Sequence, residues 1–147
     1  MTPAPINELT IYTDGACSGN PGPAGIGVVL YHKDEKIKEI SASLGDATNN
    51  VAEYTALIYG LQEALKLQAQ KVRIFTDSEL MFKQIQGMYK VKHPGIKTLF
   101  DQVMHLKEGF AEFTIRHILR EKNKEADKLA TGALKSQATQ KELKETA

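Results

Sequence analysis

Apolar residues recur two apart near the start of the chain and three or four apart further on, and this change of period separates strands from helices. Leu9 to Thr13 predicts a strand, and Ala-Cys-Ser-Gly-Asn-Pro-Gly-Pro-Ala-Gly (16 to 25) predicts a turn leading into a second strand over Ile26 to Tyr31. Lys36 to Leu44 sets Ile37, Ile40, Ala42 and Leu44 among polar residues, the pattern of a third antiparallel strand with one solvated face. From Asn50 to Leu67 the period lengthens. Val51, Tyr54, Leu57, Ile58, Leu61 and Leu65 fall on one helical stripe. A strand over Lys71 to Thr76 and a helix from Ser78 to Gln86, closed by Gly87, follow, and a strand after a helix implies a parallel crossover. A helix from Gly95 to Lys107, a strand from Phe110 to Ile118 and a helix from Asn123 to Leu134 complete the order βββαβααβα. The domain is expected over residues 8–135, between a flexible tail at 1–7 and a Lys/Gln/Glu/Thr-rich flexible tail at 136–147.

Composition narrows the class. The 147 residues, 41% hydrophobic, fit one domain with a real core, and no second domain is expected. Nineteen Lys and Arg against eighteen Asp and Glu give a net charge of +1, so any nucleic-acid surface is a local feature. A lone Cys17, a start without a basic, apolar leader and the lack of a long apolar run lead to the expectation of a soluble, cytoplasmic, monomeric protein with no membrane contact.

Four acids then stand out: Asp14 in Ile-Tyr-Thr-Asp-Gly-Ala, Glu53 in Asn-Asn-Val-Ala-Glu-Tyr, Asp77 in Ile-Phe-Thr-Asp-Ser-Glu and Asp127 in Asn-Lys-Glu-Ala-Asp-Lys-Leu-Ala. Each has an ordinary explanation. Asp14-Gly15 is a common turn pair, and Asn50-Val51-Ala52-Glu53 has the form of a capping box. Asp77 and Asp127 sit where acids complement a helix dipole. Together they read differently. If the strands ending at Asp14 and Asp77 lie side by side in parallel, both carboxylates reach the sheet edge where open α/β sheets place their sites, and Glu53 and Asp127 reach it from helix starts. Clustered carboxylates destabilise a fold unless a cation neutralises them. An all-oxygen set points to Mg2+, with Mn2+ as the alternative. Two such ions about 3.5–4 Å apart activate water for in-line phosphoryl displacement, which implies phosphodiester hydrolysis.

On these residues the chain resembles the type 1 ribonucleases H. The matching blocks are Tyr-Thr-Asp-Gly-Ala-Cys-Ser-Gly-Asn-Pro-Gly-Pro-Ala-Gly (12 to 25), Ala-Thr-Asn-Asn-Val-Ala-Glu-Tyr-Thr-Ala-Leu (47 to 57), Thr-Asp-Ser-Glu-Leu (76 to 80) and Asn-Lys-Glu-Ala-Asp-Lys-Leu-Ala (123 to 130). The resemblance implies a ribonuclease H-like α/β fold with a five-stranded mixed sheet and helices on both faces. It implies two-metal cleavage of the RNA strand of an RNA/DNA hybrid, leaving 5′-phosphate and 3′-hydroxyl ends. It makes Asp14, Glu53, Asp77 and Asp127 the metal-binding catalytic carboxylates, with Asp14 bridging both ions. Asn20, Thr48, Asn49 and Asn50 match positions that contact the hybrid. Gly15, Gly19, Gly22 and Gly25 are small enough for backbone amides to approach phosphate or sugar, and Asn side chains can pair with a 2′-hydroxyl, which both donates and accepts.

Three features depart from the family pattern. The loop that in many members carries a catalytic His reads Arg120-Glu121-Lys122, with His117 just before it; His117, Arg120 and Glu121 are the auxiliary candidates. Glu79 stands where some members have a Gln that contacts nucleic acid, so its charge must point elsewhere or cap a helix. No inserted basic helix follows the second helix, and Lys90, Lys92, His93 and Lys97 are left as a modest cationic patch, with Lys90 and Lys92 as candidates for the DNA strand. Cys17 reads as a packed thiol; His32 and His105 carry no assigned chemistry. Two rival readings are a catalytically silent hybrid-binding module and another nuclease of the same fold.

Overall fold

Five strands form one mixed sheet in the order β3-β2-β1-β4-β5: β1 (Glu8–Cys17), β2 (Gly22–His32), β3 (Glu35–Ala47), β4 (Lys71–Thr76) and β5 (Glu112–His117). β1, β2 and β3 are an antiparallel meander, and β1, β4 and β5 run parallel. The helices are α1 (Asn49–Lys66), α2 (Glu79–Ile85), α3 (Pro94–Lys107) and α4 (Lys124–Thr146), with a single 3₁₀ turn at Arg120–Lys122. This computed structural model describes the backbone of residues 6–146 and the side chains of residues 6–135. Residues 1–5 of the first expected tail lie outside the described residues, whereas the backbone of 136–146, expected as part of the second tail, continues α4, with its side chains outside the described residues. Ile6 and Asn7 are described, and their carbonyls accept the amides of Gln70 and Lys71 at 3.1 and 2.9 Å.

The sheet has a helix layer on each face, and the strand period assigns the faces. Ile11, Thr13 and Val28 meet α1 at Gly60, whereas the intervening Gly25 and Gly27 meet α4. On the α1 side Leu9, Ile11, Val28, Leu57, Leu61 and Ile74 are fully buried, and α3 packs behind α1. Each such side chain stabilises the fold by roughly 1.5–3 kcal/mol, so packing rather than helix propensity holds α1 in place. Tyr54 is also buried; its hydroxyl donates to Gln84 Oε1 at 2.8 Å and ties α1 to α2.

The first hairpin is longer than its turn residues imply. β1 and β2 stay paired to Cys17↔Ala24, and the Ser18 amide donates to the Pro23 carbonyl at 2.8 Å, so the turn shrinks to its tip. The Cys17 thiol donates to the Ala47 carbonyl at 2.9 Å and fastens the end of β1 to the end of β3. A packed thiol is what its sequence context indicates.

Candidate active site

β1 and β4 pair in parallel up to Thr13↔Thr76, so Asp14, where β1 runs on beside β2 alone, and Asp77, just past the end of β4, each directly follow the last rung and stand at the same level. Glu53 joins them because β1 carries glycine at position 15. A Cβ there would lie 2.5 Å from the Ala52 carbonyl carbon and from the Glu53 nitrogen, so only glycine lets α1 come this close to β1. On the opposite face a Cβ on Gly27 would lie 2.0 Å from the Ala126 carbonyl oxygen, and one on Gly25 2.5 Å from that of Ala130. These close approaches seat α4 on the sheet and bring Asp127 to its edge. The glycines read as leaving room for phosphate or sugar thus have another role at positions 15 and 25, where the space is filled by protein backbone.

One carboxylate oxygen from each of Asp14, Glu53 and Asp77 lies within 4.8 Å of the others. Asp14 is 4% exposed and Glu53 9%. Burial first, and then the neighbouring charges of Glu53 and Asp77, raise the Asp14 carboxyl far above the usual carboxylate range. Burial and Asp77 raise Glu53 as well, opposed by its hydrogen bonds to Asp14 and to the Gly15 amide. Asp127 lines the same cleft and approaches Asp14 as a hydrogen-bond partner, while its Oδ1 lies 3.7 Å from Arg120 Nη2. Among the described residues, Glu53 Oε2, Asn50 Oδ1, Asn123 Oδ1 and Thr13 Oγ1 are buried without a hydrogen-bond partner. Three of these belong to residues touching the acid cluster or lining its cleft. A buried, oxygen-only, negatively charged set with an unpartnered carboxylate oxygen fits a hard divalent cation.

The capping explanations fail at two of the acids. The N-cap of α1 is Thr48, whose Oγ1 accepts the Val51 amide at 3.3 Å, so Asn50 is inside the helix and Glu53 stands two residues past the capping-box position. The N-cap of α2 is Ser78, whose Oγ accepts the Met81 amide at 3.2 Å. Asp77 is left outside that helix and accepts instead from Asn123 Nδ2 at 3.3 Å. Asp127 does lie in the first turn of α4, where its charge also suits the helix dipole.

A cleft of about 640 Å³ opens over the acids, lined also by Gly15, Asn20, Asn49, Asn50 and Arg120. Asn20 Oδ1 accepts the Asn49 amide at 3.1 Å, which locks the hairpin tip to the start of α1. The Gly15 amide is engaged by Glu53 and Thr48 by its capping role. Lys90 and Lys92 are exposed on the loop between α2 and α3, beside exposed Met88 and Tyr89, and do not line the cleft. Two auxiliary candidates face elsewhere. His117 lies on β5 with its ring 6.1 Å from Phe82, in a groove shared with Phe113, and Glu121 lines a separate groove with Tyr12 and Tyr31. Neither lines the cleft over the acids; Arg120 is the member of the loop that does. Glu79 is neutralised by Lys83 at 2.7 Å, which answers the objection that its charge repels phosphate. Sequence reasoning missed Asn123 as a site residue, because local pattern shows it only as the start of the last helix.

The family model described as "Reverse transcriptase-like" matches residues 12–133. The N-terminal RNase H domain of Rv2228c from Mycobacterium tuberculosis is 40% identical, covers 86% of this chain and 98% of its own, and superposes with a TM-score of 0.84. RNase H1 from Halobacterium salinarum is 37% identical, with 88% and 99% covered and a TM-score of 0.86. LC11-RNase H1, solved in complex with an RNA/DNA hybrid, is 42% identical, with 88% and 99% covered and a TM-score of 0.83. The chain spans 36% of the full-length Rv2228c protein and 62% of the H. salinarum ribonuclease HI sequence. Among the described residues no helix is long and apolar enough to cross a membrane. Since the matched span holds all four acids and the strands and helices that deliver them, fold and site come from one source: the chain belongs to the type 1 ribonuclease H family.

Proposed function

We propose that this domain is a metal-dependent endonuclease that hydrolyses the RNA strand of RNA/DNA hybrids and leaves 5′-phosphate and 3′-hydroxyl ends. The observation that carries the reading is the trio Asp14, Glu53 and Asp77, brought within 4.8 Å of one another in largely buried surroundings. Such a grouping destabilises the fold by itself and is sustained by a bound cation. Magnesium, two ions in the active complex and replaceable by manganese, would be held by Asp14, Glu53, Asp77 and Asp127 and would supply an activated water and charge neutralisation at the scissile phosphate.

The remaining groups bind and orient. Asn20, Asn49 and Asn50 line the cleft beside the acids and can meet 2′-hydroxyls, which both donate and accept; this favours RNA as the strand that is cut. Arg120 places a cation at the cleft, near Asp127 and the charge of Glu53, where it can hold Asp127 and attract phosphate. Lys90 and Lys92, free of the cleft and exposed, suit the backbone of the DNA strand.

The reading is tested by cleavage of a hybrid labelled on its RNA strand, with magnesium, beside single-stranded RNA, duplex RNA and duplex DNA and an Asp14→Asn variant. Cutting confined to the hybrid's RNA strand and lost with chelator or the variant is the expected result. Retained hybrid binding without cutting in magnesium or manganese would make the domain a silent binding module.

A further inference from the structure

Asn123 is 1% exposed and spends both amide hydrogens on acceptors far away in the chain: Nδ2 donates to the Thr13 carbonyl at 2.9 Å and to Asp77 Oδ2 at 3.3 Å. A carbonyl and a carboxylate can only accept, so the amide has one orientation, with Oδ1 turned away and unpartnered. The backbone of the same residue serves the other half of the site. Its amide donates to the Arg120 carbonyl at 2.9 Å, and its carbonyl accepts the Asp127 amide at 3.1 Å. One buried residue therefore touches Asp77, the strand residue before Asp14, the loop bearing Arg120 and the helical turn bearing Asp127.

These contacts oppose a specific force. Asp77 faces two other carboxylates within 4.8 Å, and their repulsion would rotate it away from the cluster unless a donor held one of its oxygens. The bond to Thr13 ties the 3₁₀ turn that precedes α4 to β1 at the residue before Asp14. We infer that Asn123 is a positioning residue for hydrolysis: it holds the Asp77 carboxylate and fixes the spacing between Asp77 and Asp127, and so sets cation affinity and rate without touching substrate. The inference rests on the acid cluster being the catalytic centre.

Asn123→Ala removes both side-chain bonds, Asn123→Ser keeps one donor, and Asn123→Asp turns an oxygen toward two oxygens. Each is compared with the unaltered protein in kcat and KM on a labelled hybrid, and in the magnesium concentration that gives half of the maximal rise in melting temperature. The expected result is a kcat about tenfold lower in Asn123→Ala, with a magnesium midpoint raised by a similar factor. KM should stay within about twofold, because no substrate contact is lost. Asn123→Ser should retain more activity than Asn123→Ala, and Asn123→Asp less. A lowered melting temperature in chelator with an unchanged kcat and magnesium midpoint would overturn the inference, since Asn123 would then only hold the fold together. So would a loss confined to KM. If Asn123→Ala does not fold, Asn123→Ser and Asn123→Asp carry the same comparison. If the unaltered protein cuts nothing, the proposed function fails, while the magnesium midpoint of the melts still decides the role of Asn123.

Discussion

Asp14→Asn keeps the shape of the buried acid and removes one charge from a group of three. Two full charges at 4.8 Å repel by about 3.5 kcal/mol at an effective dielectric near 20. Three such pairs would approach the whole stability of a domain, roughly 5–15 kcal/mol. Without a cation the cluster therefore keeps protons: the Asp14 carboxyl is pushed up to about 10 and that of Glu53 to about 8, in both cases chiefly by burial. The substitution removes two of the three repulsions, part of which those protons already relieve, and it offers an amide donor to the unpartnered Glu53 Oε2. A net gain of about 2 kcal/mol in chelator follows, which for a chain of this size raises the melting temperature by roughly 4–8 °C.

The pH dependence has a definite sign. A carboxyl whose folded pKa lies above its unfolded value binds more protons in the folded state. Its contribution is fully present below the ordinary value near 4 and is lost as pH rises through about 8 for Glu53 and on toward about 10 for Asp14. In chelator the unaltered protein should lose melting temperature from about pH 5 upward, and the advantage of Asp14→Asn should grow across that window and vanish near pH 4. Millimolar magnesium should reverse the order, because only the unaltered protein keeps its full ligand set. Thermal melts by circular dichroism would check both statements. A variant that melts at or below the unaltered protein in chelator across the neutral range, or an advantage that widens toward acid, refutes the reasoning.

Gly27→Ala pushes a methyl into the Ala126 carbonyl of α4 and should cost about 3 kcal/mol, read as a lower urea midpoint; an unchanged midpoint would show that α4 does not sit on Gly27. The double variant Lys90→Ala, Lys92→Ala should weaken hybrid binding and flatten the slope of log affinity against log salt by about 1–2, whereas an unchanged slope would place the phosphate contacts elsewhere. Arg120→Ala should lower kcat about tenfold through the loss of its hold on Asp127. His117→Ala and Glu121→Gln, which face other grooves, should leave kcat within about twofold, and a larger drop in either would mean that the loop rearranges when hybrid binds.

The sequence by itself determined which elements form and which acids matter. Period-two and helical patterns are local properties of the chain, so βββαβααβα was legible from Leu9 to Leu134. The sequence put Asp14 and Asp77 at one level on the condition that their strands lie side by side in parallel, and the structure meets that condition up to Thr13↔Thr76. What lay beyond reach depended on partners distant in the chain. Whether Glu53 caps its helix or joins a cluster is settled by where the cap falls, at Thr48, and by how close Gly15 lets α1 come to β1. The packing role of Gly25 and Gly27 appears only once α4 lies across them. Arg120, Glu121 and His117 are neighbours in sequence, yet the turn at Arg120–Lys122 sends one into the cleft and one into the next groove, while β5 leaves His117 facing α2. Asn123 was legible only as the start of the last helix for the same reason: its two acceptors stand 110 and 46 residues away, a separation that local pattern does not encode and tertiary packing closes.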